Sequence, residues 1–210
     1  MTRLLLIRHG ETQWNREEIF RGRVELPLTE EGIQQAEALA ASLSGEKLAA
    51  IYCSPLARTK QTAEILGRSA GLAPAPREEF IDMSYGEWEG KPLAEVQRDY
   101  PKLFASWHRT PETFRPPGGE SMQEVRARAF PALQALLAVH PGQTIAVVTH
   151  RVISKILLCA VMGLGDSAFW LIRQDPACLN IVEAEEGQFV IVRLNDTCHL
   201  RGLGRDRIDF

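Results

Sequence analysis

The sequence lacks the features that would place the protein in a membrane or on a nucleic acid. None of its hydrophobic runs approaches the ~18 consecutive apolar residues of a membrane-spanning helix. The net charge is −3 over 210 residues, so there is no excess of lysine and arginine to attract nucleic acids or anionic lipids. We therefore expect no nucleic acid and no membrane as partners, and an anionic substrate would have to be held by a local cluster of cations.

Cysteine is scarce and dispersed. Cys53, Cys159, Cys178 and Cys198 contain no C-x-x-C pair, which disfavours a zinc site or a disulfide framework. The sequence also lacks a Walker A motif, an H-E-x-x-H motif and an evident carboxylate cluster for magnesium. We therefore expect free thiols in a cytoplasmic protein, with no cofactor and no metal. Because Arg8 interrupts the first apolar run, that run is not expected to be a signal peptide.

Short apolar runs alternate with segments of helical periodicity along most of the chain. The predicted strands are residues 4–7, 49–53, 145–149, 180–184 and 189–194. The predicted helices begin at the N-cap Thr29, at Ser54-Pro55, at a Ser121/Glu124 capping box and at Val152.

This alternation predicts an α/β fold, a three-layer sandwich with a mainly parallel sheet flanked by helices. A turn near Glu185–Gly187 predicts a hairpin, and so one antiparallel edge strand. We expect one domain over residues 1–210. Residues 91–120 carry four prolines and weak periodicity, which indicates an excursion or partial lid over the working end of the sheet.

Charged side chains follow several of the predicted strands. Arg8-His9-Gly10 follows the first, Arg58 follows the second by one helical turn, and His150-Arg151 follows a later one. Asp82 ends a short extended piece at 79–83. Ligands of open α/β sheets bind where strands end. Each residue alone could be a surface charge, a satisfied polar group or a turn residue, but together they would be costly to bury without an anion.

Phosphate is the simplest anion to satisfy this arrangement. The guanidinium fork of arginine matches two phosphate oxygens and stays charged at any relevant pH. A neutral imidazole can attack phosphorus and carry the phosphoryl group. We interpret Arg8 as a phosphate ligand, His9 as the attacking group and Gly10 as the residue that lets the backbone approach the phosphate.

Six segments, in order along the chain, carry a family resemblance. They are RHGETQWN (8–15), LTEEGIQQA (28–36), SPLARTKQTA (54–63), YGEWEG (85–90), GGES (118–121) and VVTH (147–150). With these segments the sequence resembles the histidine phosphatase superfamily, also called phosphoglycerate mutase-like, across almost its whole length.

The resemblance implies roles for the residues at the strand ends. His9 would be the nucleophile that becomes phosphohistidine, and Arg8, Arg58 and a protonated His150 would bind the phosphoryl group. Asn15 would add an amide contact.

The acid and the substrate side are implied in the same way. The family acid is usually a glutamate, and its position is here occupied by Asp82, one methylene shorter, with Glu79 and Glu87 as alternatives. Arg21-Gly22 and Tyr85 would face the substrate. Arg151 stands where many relatives have glycine, and would either contact a substrate carboxylate or point to solvent.

The resemblance also suggests a class of substrate. A compact 91–120 segment with mixed charge favours a phosphatase over a phosphoglycerate mutase, and the retained histidines and arginines argue against a non-catalytic binding module. The tail LNDTCHL (194–200) resembles that of metal-independent phosphoserine phosphatases and α-ribazole phosphatase-like members, although 197–199 could simply be a packed strand end. Phosphoserine is therefore the first candidate, with α-ribazole 5′-phosphate or broad specificity as the alternative. A homodimer is compatible with the fold, but nothing in the chain demands it.

Overall fold

Within residues 1–203, six strands form one sheet, in the order β3-β2-β4-β1-β5-β6. The computed structural model describes residues 1–203. The strands are β1 (Thr2–Arg8), β2 (Leu48–Cys53), β3 (Ala75–Pro76), β4 (Thr144–Thr149), β5 (Leu179–Glu185) and β6 (Gln188–Asp196). The first four run parallel, while β5 is antiparallel to both of its neighbours, β1 and β6. The predicted α/β sandwich with a mainly parallel sheet and an antiparallel hairpin at one edge is confirmed.

Helices cover both faces of the sheet. They are α1 (Gln13–Arg16), α2 (Glu30–Ser42), α3 (Ala57–Ala70), α4 (Leu93–Asp99), α5 (Pro101–Arg109), α6 (Met122–Ala138) and α7 (Arg151–Val161). Leu5 and Ile7 of β1 belong to the core shared with α2 and α3, whereas Leu4 and Leu6 belong to the core shared with α6 and α7. Because side chains alternate across a strand, β1 is apolar on both faces and lies at the centre of the protein.

Two of the predicted helix starts are confirmed and one is wrong. Thr29 caps α2 by accepting a hydrogen bond from the Gly32 N–H, and the capping box of Ser121 and Glu124 opens α6. By contrast, α3 begins at Ala57, three residues after Ser54. The Ser54 N–H still bonds to Val148 O of the sheet at 3.0 Å, so the chain is extended there and cannot yet enter the helix.

The predicted extended piece at 79–83 is also wrong. Residues 78–80 form a single 3-10 turn, and the short strand β3 lies just before it. Hydrogen bonds from two distant side chains hold this segment over the sheet. Thr149 Oγ1 donates to Phe80 O at 2.8 Å, and the Arg128 guanidinium donates to Ile81 O at 2.8 Å and to Asp82 O at 3.2 Å. Asp82 therefore reaches the strand ends without belonging to a strand.

The segment 91–120 is more regular than its sequence suggests. It contains α4, α5 and a 3-10 turn at residues 111–113, and prolines open both α5 and this turn, where a missing N–H costs little. Val96, Trp107 and Phe114 are fully buried in the core on the α6/α7 side. The segment is thus anchored by apolar packing, and its action as a partial lid stays a prediction.

The structure bears on two features that the sequence disfavours, a membrane-spanning helix and disulfide bonds. Among residues 1–203, no helix is long and apolar enough to cross a membrane. All four cysteines carry free thiols, as predicted, and three of them are buried.

The structure gives a reason for glycine at position 10 that the sequence does not reveal. A Cβ atom at Gly10 would lie 2.4 Å from Gly32 O in the first turn of α2, and one at Gly32 would lie 2.1 Å from Glu11 O. The chain leaving β1 and the start of α2 therefore touch backbone to backbone. The structure shows a contact of Gly10 with this helix, and the approach of its backbone to phosphate stays a prediction.

We expect Gly10→Ala to lower the free energy of unfolding by about 1–3 kcal/mol, because the added methyl group must push the two backbones apart. Urea unfolding monitored by circular dichroism measures this change. Gly45→Ala is the control, since nothing lies within 4 Å of a Cβ atom there. Equal effects of the two substitutions would contradict the close-contact explanation.

Candidate active site

His9 lies directly after β1 and is almost completely buried. Its backbone N–H bonds to Thr149 O at 3.0 Å, which fixes it beside the end of β4. The ring Nδ1 lies 2.6 Å from Gly10 O. Since a carbonyl can only accept, Nδ1 carries the proton and Nε2 holds the lone pair. Burial lowers the pKa of the His9 imidazole well below its ordinary value, and nearby Arg58 and Arg8 lower it further.

Arg58 projects from the first turn of α3 and is completely buried. Its guanidinium group donates to Gly22 O at 2.8 Å and to Val24 O at 2.9 Å, and its Nη2 lies 3.2 Å from Asp82 Oδ2. Burial lowers the pKa of Arg58 to about 10, which still leaves the group charged at neutral pH. A fixed positive charge is therefore held next to both histidines.

His150 faces His9 from the N-terminus of α7. The two ring centroids are 5.3 Å apart, in an edge-on arrangement. Arg58 Nε donates to His150 Nδ1 at 3.2 Å, so the proton lies on Nε2, which bonds to Ser54 Oγ at 2.7 Å. Burial and Arg58 hold the pKa of His150 well below its ordinary value. Without a bound phosphoryl group His150 is thus neutral, because an arginine occupies the nitrogen that would take the proton, and its protonation beside a substrate stays a prediction.

Asp82 supplies the carboxylate of the site. Its Oδ2 lies 3.6 Å from His150 Nδ1, and its Oδ1 accepts from the Met83 N–H at 2.9 Å. Burial raises the pKa of the Asp82 carboxyl, although Arg58 and Arg21 act in the opposite direction. The alternatives Glu79 and Glu87 are exposed, and Glu87 bonds to a tyrosine hydroxyl at the surface. Neither of them lines the cavity, so Asp82 is the better-placed acid.

The residues predicted to face the substrate largely do meet around one cavity. It is lined by His9, Ile19, Phe20, Arg21, Gly22, Asp82, Tyr85, Arg151 and Val152. Arg151 is only 6% exposed, so its side chain does not point to solvent. No residue of the 91–120 segment lines this cavity, and the covering chain is residues 19–22. Within residues 1–203, no three histidine, cysteine or carboxylate side chains gather as a metal-binding group would.

Asn15, like Arg8, Arg58 and His150, is not among the residues that line this cavity. Its Oδ1 accepts from the N–H and the hydroxyl of Thr12, at 2.8 and 2.7 Å, in the capping box of α1. The residue is half-buried and does not line the cavity. Its amide contact with a substrate stays a prediction.

Arg8 is held by a loop that sequence reasoning missed. The buried guanidinium donates to Gln174 O at 2.6 Å, the Arg8 N–H donates to Cys178 O at 3.2 Å, and the Ala177 N–H donates to His9 O at 3.0 Å. Residues 174–178 thus support both consecutive site residues from one side. In the sequence, the signal for this support is the LNDTCHL tail, which is part of the family resemblance but receives no role from it.

The tail and strand β5 together hold this loop in place. Asn195 clamps Asp175 by accepting from its N–H and donating to its Oδ2, both at 2.7 Å. Asn180 donates to Leu6 O at 3.0 Å and lies between Asn195 and Gln174 in a hydrogen-bonded chain. His199 Nε2 donates to Ala177 O at 3.1 Å. The end of the described chain therefore packs against the 174–178 loop, which supports Arg8 and His9.

We expect both site histidines to remain neutral at pH 6, where an ordinary imidazole with a pKa of about 6.5 is mostly protonated. Their ring ¹⁵N chemical shifts, assigned through His9→Asn and His150→Asn, measure this directly. The unfolded chain takes up these protons and the folded chain does not, so the free energy of unfolding should also fall as pH drops through about 6.5. Midpoints near 6.5 in the folded protein would contradict the assigned tautomers.

Comparison with known proteins agrees with this geometry. The family model described as the histidine phosphatase superfamily (branch 1) matches residues 4–197. Phosphoserine phosphatase 1 of Hydrogenobacter thermophilus is 36% identical over 95% of this chain and 95% of its own. The adenosylcobalamin/alpha-ribazole phosphatase of Escherichia coli is 29% identical over 91% of this chain and 94% of its own. Among solved structures, Bacillus stearothermophilus YhfR matches with a TM-score of 0.91 and 33% identity, covering 96% of this chain and 100% of that chain.

The family match spans nearly all of the chain, and His9 and His150 directly follow the ends of β1 and β4. The chain belongs to the histidine phosphatase superfamily and is a phosphatase.

Proposed function

We propose that the protein hydrolyses phosphomonoesters through a phosphohistidine formed on His9. The observation that carries this proposal is the tautomer of His9, whose Nδ1 proton is tied to Gly10 O so that the Nε2 lone pair remains for attack. A neutral imidazole next to buried guanidinium groups is a nucleophile placed beside the charges that would hold its target. In the first step, Nε2 forms a bond to phosphorus while the bond between phosphorus and the ester oxygen breaks.

The remaining side chains divide the other tasks. Arg8, Arg58 and His150 would stabilise the negative charge on the phosphoryl oxygens. A phosphoryl dianion beside the His150 ring would raise its pKa, so this ring would gain its proton when substrate arrives. Asp82 would give its proton to the departing alkoxide, and burial favours the protonated form that this task needs. The same carboxylate would then deprotonate the water that hydrolyses phosphohistidine and restores neutral His9.

The proposed reaction uses no metal ion. Phosphoryl transfer needs positive charge at the oxygens of the transferred group, and guanidinium groups supply such charge without a bound cation. Arg8 and Arg58 are fully buried, which strengthens their field at the cavity.

Phosphoserine is the substrate that we propose first. The relative from Hydrogenobacter thermophilus is named a phosphoserine phosphatase, and it matches almost the whole chain. Arg151 lines the cavity beside Asp82 and Tyr85, where its guanidinium group could bind the substrate carboxylate. The alternative, α-ribazole 5′-phosphate or broad specificity, is favoured by the relative from Escherichia coli.

The phosphohistidine should be trapped by acid-free quenching during turnover of a slow ³²P-labelled phosphomonoester in excess EDTA. We expect labelled protein that loses its label in acid, with the label absent from His9→Ala. His140→Ala is the control, because this histidine lies outside the cavity and bonds to Tyr52 and Gln143. Acid-stable label, or turnover that stops in EDTA and returns with magnesium or zinc, would contradict the mechanism.

Asp82→Asn should lower kcat on an alkyl phosphate by about 10²–10⁴-fold, because an alkoxide leaving group needs a proton. The same variant should lose much less on p-nitrophenyl phosphate, whose leaving group is stable as an anion. Steady-state kinetics on both substrates give the comparison, with Glu79→Gln and Glu87→Gln as matched controls. Equal losses on both substrates would remove Asp82 from the role of acid.

A screen of phosphorylated metabolites should rank phosphoserine first by kcat/KM. The screen includes 3-phosphoglycerate and α-ribazole 5′-phosphate, and phosphoryl transfer between glycerate oxygens is followed separately to detect a mutase. A higher kcat/KM for α-ribazole 5′-phosphate would replace the first candidate by the alternative.

A further inference from the structure

A second cavity of about 370 Å³ opens on the other side of Arg151. It is lined by Leu93, His108, Arg151, Lys155, Trp170, Leu171, Ile172, Arg173, Gln174 and Asp175. Arg151 also lines the cavity of His9, and Gln174 O accepts the hydrogen bond from Arg8. The second cavity therefore adjoins the cavity of His9 through Arg151 and the support of Arg8 through Gln174, and its volume is in the range of small-molecule sites.

The walls of this cavity are positively charged. Arg151 and Lys155 are one turn apart on α7, so their side chains lie on the same side of the helix, and Lys155 is only 5% exposed. Arg173 adds a third cation at the rim. The one carboxylate, Asp175, is already bonded to Arg173 Nε at 2.8 Å and to Asn195 Nδ2 at 2.7 Å.

Aromatic rings hold the Lys155 ammonium group at the cavity wall. Its Nζ lies 4.5 Å from the Trp170 ring centroid and 4.6 Å from that of Phe169. The His108 ring stacks on Trp170 at 4.6 Å, and burial together with Arg151 and Lys155 lowers the pKa of His108, which leaves a neutral ring. Such cation–π contacts orient the ammonium group of a buried lysine.

We propose that this cavity is the subsite for the leaving group of the substrate, and that Arg151 and Lys155 select phosphomonoesters whose alcohol carries a second anionic group. The inference rests on the proposed phosphatase function. The chemical class is an alcohol phosphate with a carboxylate or a second phosphate, and the apolar walls provided by Leu93 and Ile172 would contact its carbon chain. Lys155 lies outside the family motifs and outside the lining of the first cavity, so neither of them predicts that it contacts substrate.

Two matched substrate pairs test the selection. O-phosphoserine and O-phosphoethanolamine differ by one carboxylate, and 1,3-propanediol bisphosphate and 3-hydroxypropyl phosphate differ by the second phosphate. For the wild-type protein we expect at least a tenfold higher kcat/KM for the anionic member of one or both pairs, with most of the difference in KM. The pair that shows the preference tells which anion the subsite takes.

Substitution of Lys155 tests the assignment of the residue. Lys155→Met keeps most of the side-chain length and should lower the preference for the anionic member about tenfold, whereas Lys155→Arg should keep most of it. Lys60→Met, an exposed lysine on α3, is the control and should leave the preference unchanged.

The outcomes separate this inference from the proposed function. Equal kcat/KM values within both wild-type pairs would overturn the subsite even if Lys155→Met failed to fold. An equal loss of kcat/KM on both members of a pair in Lys155→Met would overturn the role of Lys155, since damage to the fold lowers the activity on both substrates alike. If the wild-type protein hydrolysed no phosphomonoester, p-nitrophenyl phosphate included, the proposed function would fail first and the subsite with it.

Discussion

The arrangement of the site depends on two arginine side chains that are buried at the carboxyl ends of parallel strands. A buried guanidinium group needs acceptors for its N–H donors. For Arg8 the structure supplies a backbone carbonyl, and for Arg58 it supplies two carbonyls as well as Asp82. These carbonyl groups accept hydrogen bonds from the guanidinium groups without cancelling their charge. The site therefore retains the positive field of the two guanidinium groups, which further carboxylates beside Asp82 would have removed.

The same field determines the protonation states of the neighbouring groups. Both imidazoles are kept neutral by burial and by the adjacent cations. The His9 ring is oriented by its hydrogen bond to a carbonyl, and the His150 ring by its hydrogen bonds with Arg58 and Ser54. Asp82 experiences opposing effects, because burial favours its protonated form and Arg58 favours its anion. A single arrangement of charge thus produces a neutral imidazole at His9 next to a carboxyl group whose protonated form is favoured by burial.

Sequence reasoning located the main site residues because strand ends are visible in a sequence. Apolar runs followed by Arg8-His9 and by His150 gave the correct edge of the sheet, and alternation with helical segments gave the correct layers. The start of α3 was missed because Ser54 pairs with β4 before the helix begins. The packing of Gly10 against α2 was not predicted, and the sequence left two alternatives open for Arg151, because each depends on a distant element packed against it. The hydrogen bonds joining Gln174, Asn180 and Asn195 were invisible for the same reason, since amide side chains carry no periodic signal.

The central position of β1 has a consequence for how the chain assembles during synthesis. Its two sheet neighbours are β4 and β5, which begin at Thr144 and Leu179. β1 therefore cannot complete its pairing until these later strands have been synthesised, and pairings so remote in sequence form slowly. His9 accepts a backbone hydrogen bond from Ala177, so its final position also depends on a residue that is synthesised much later.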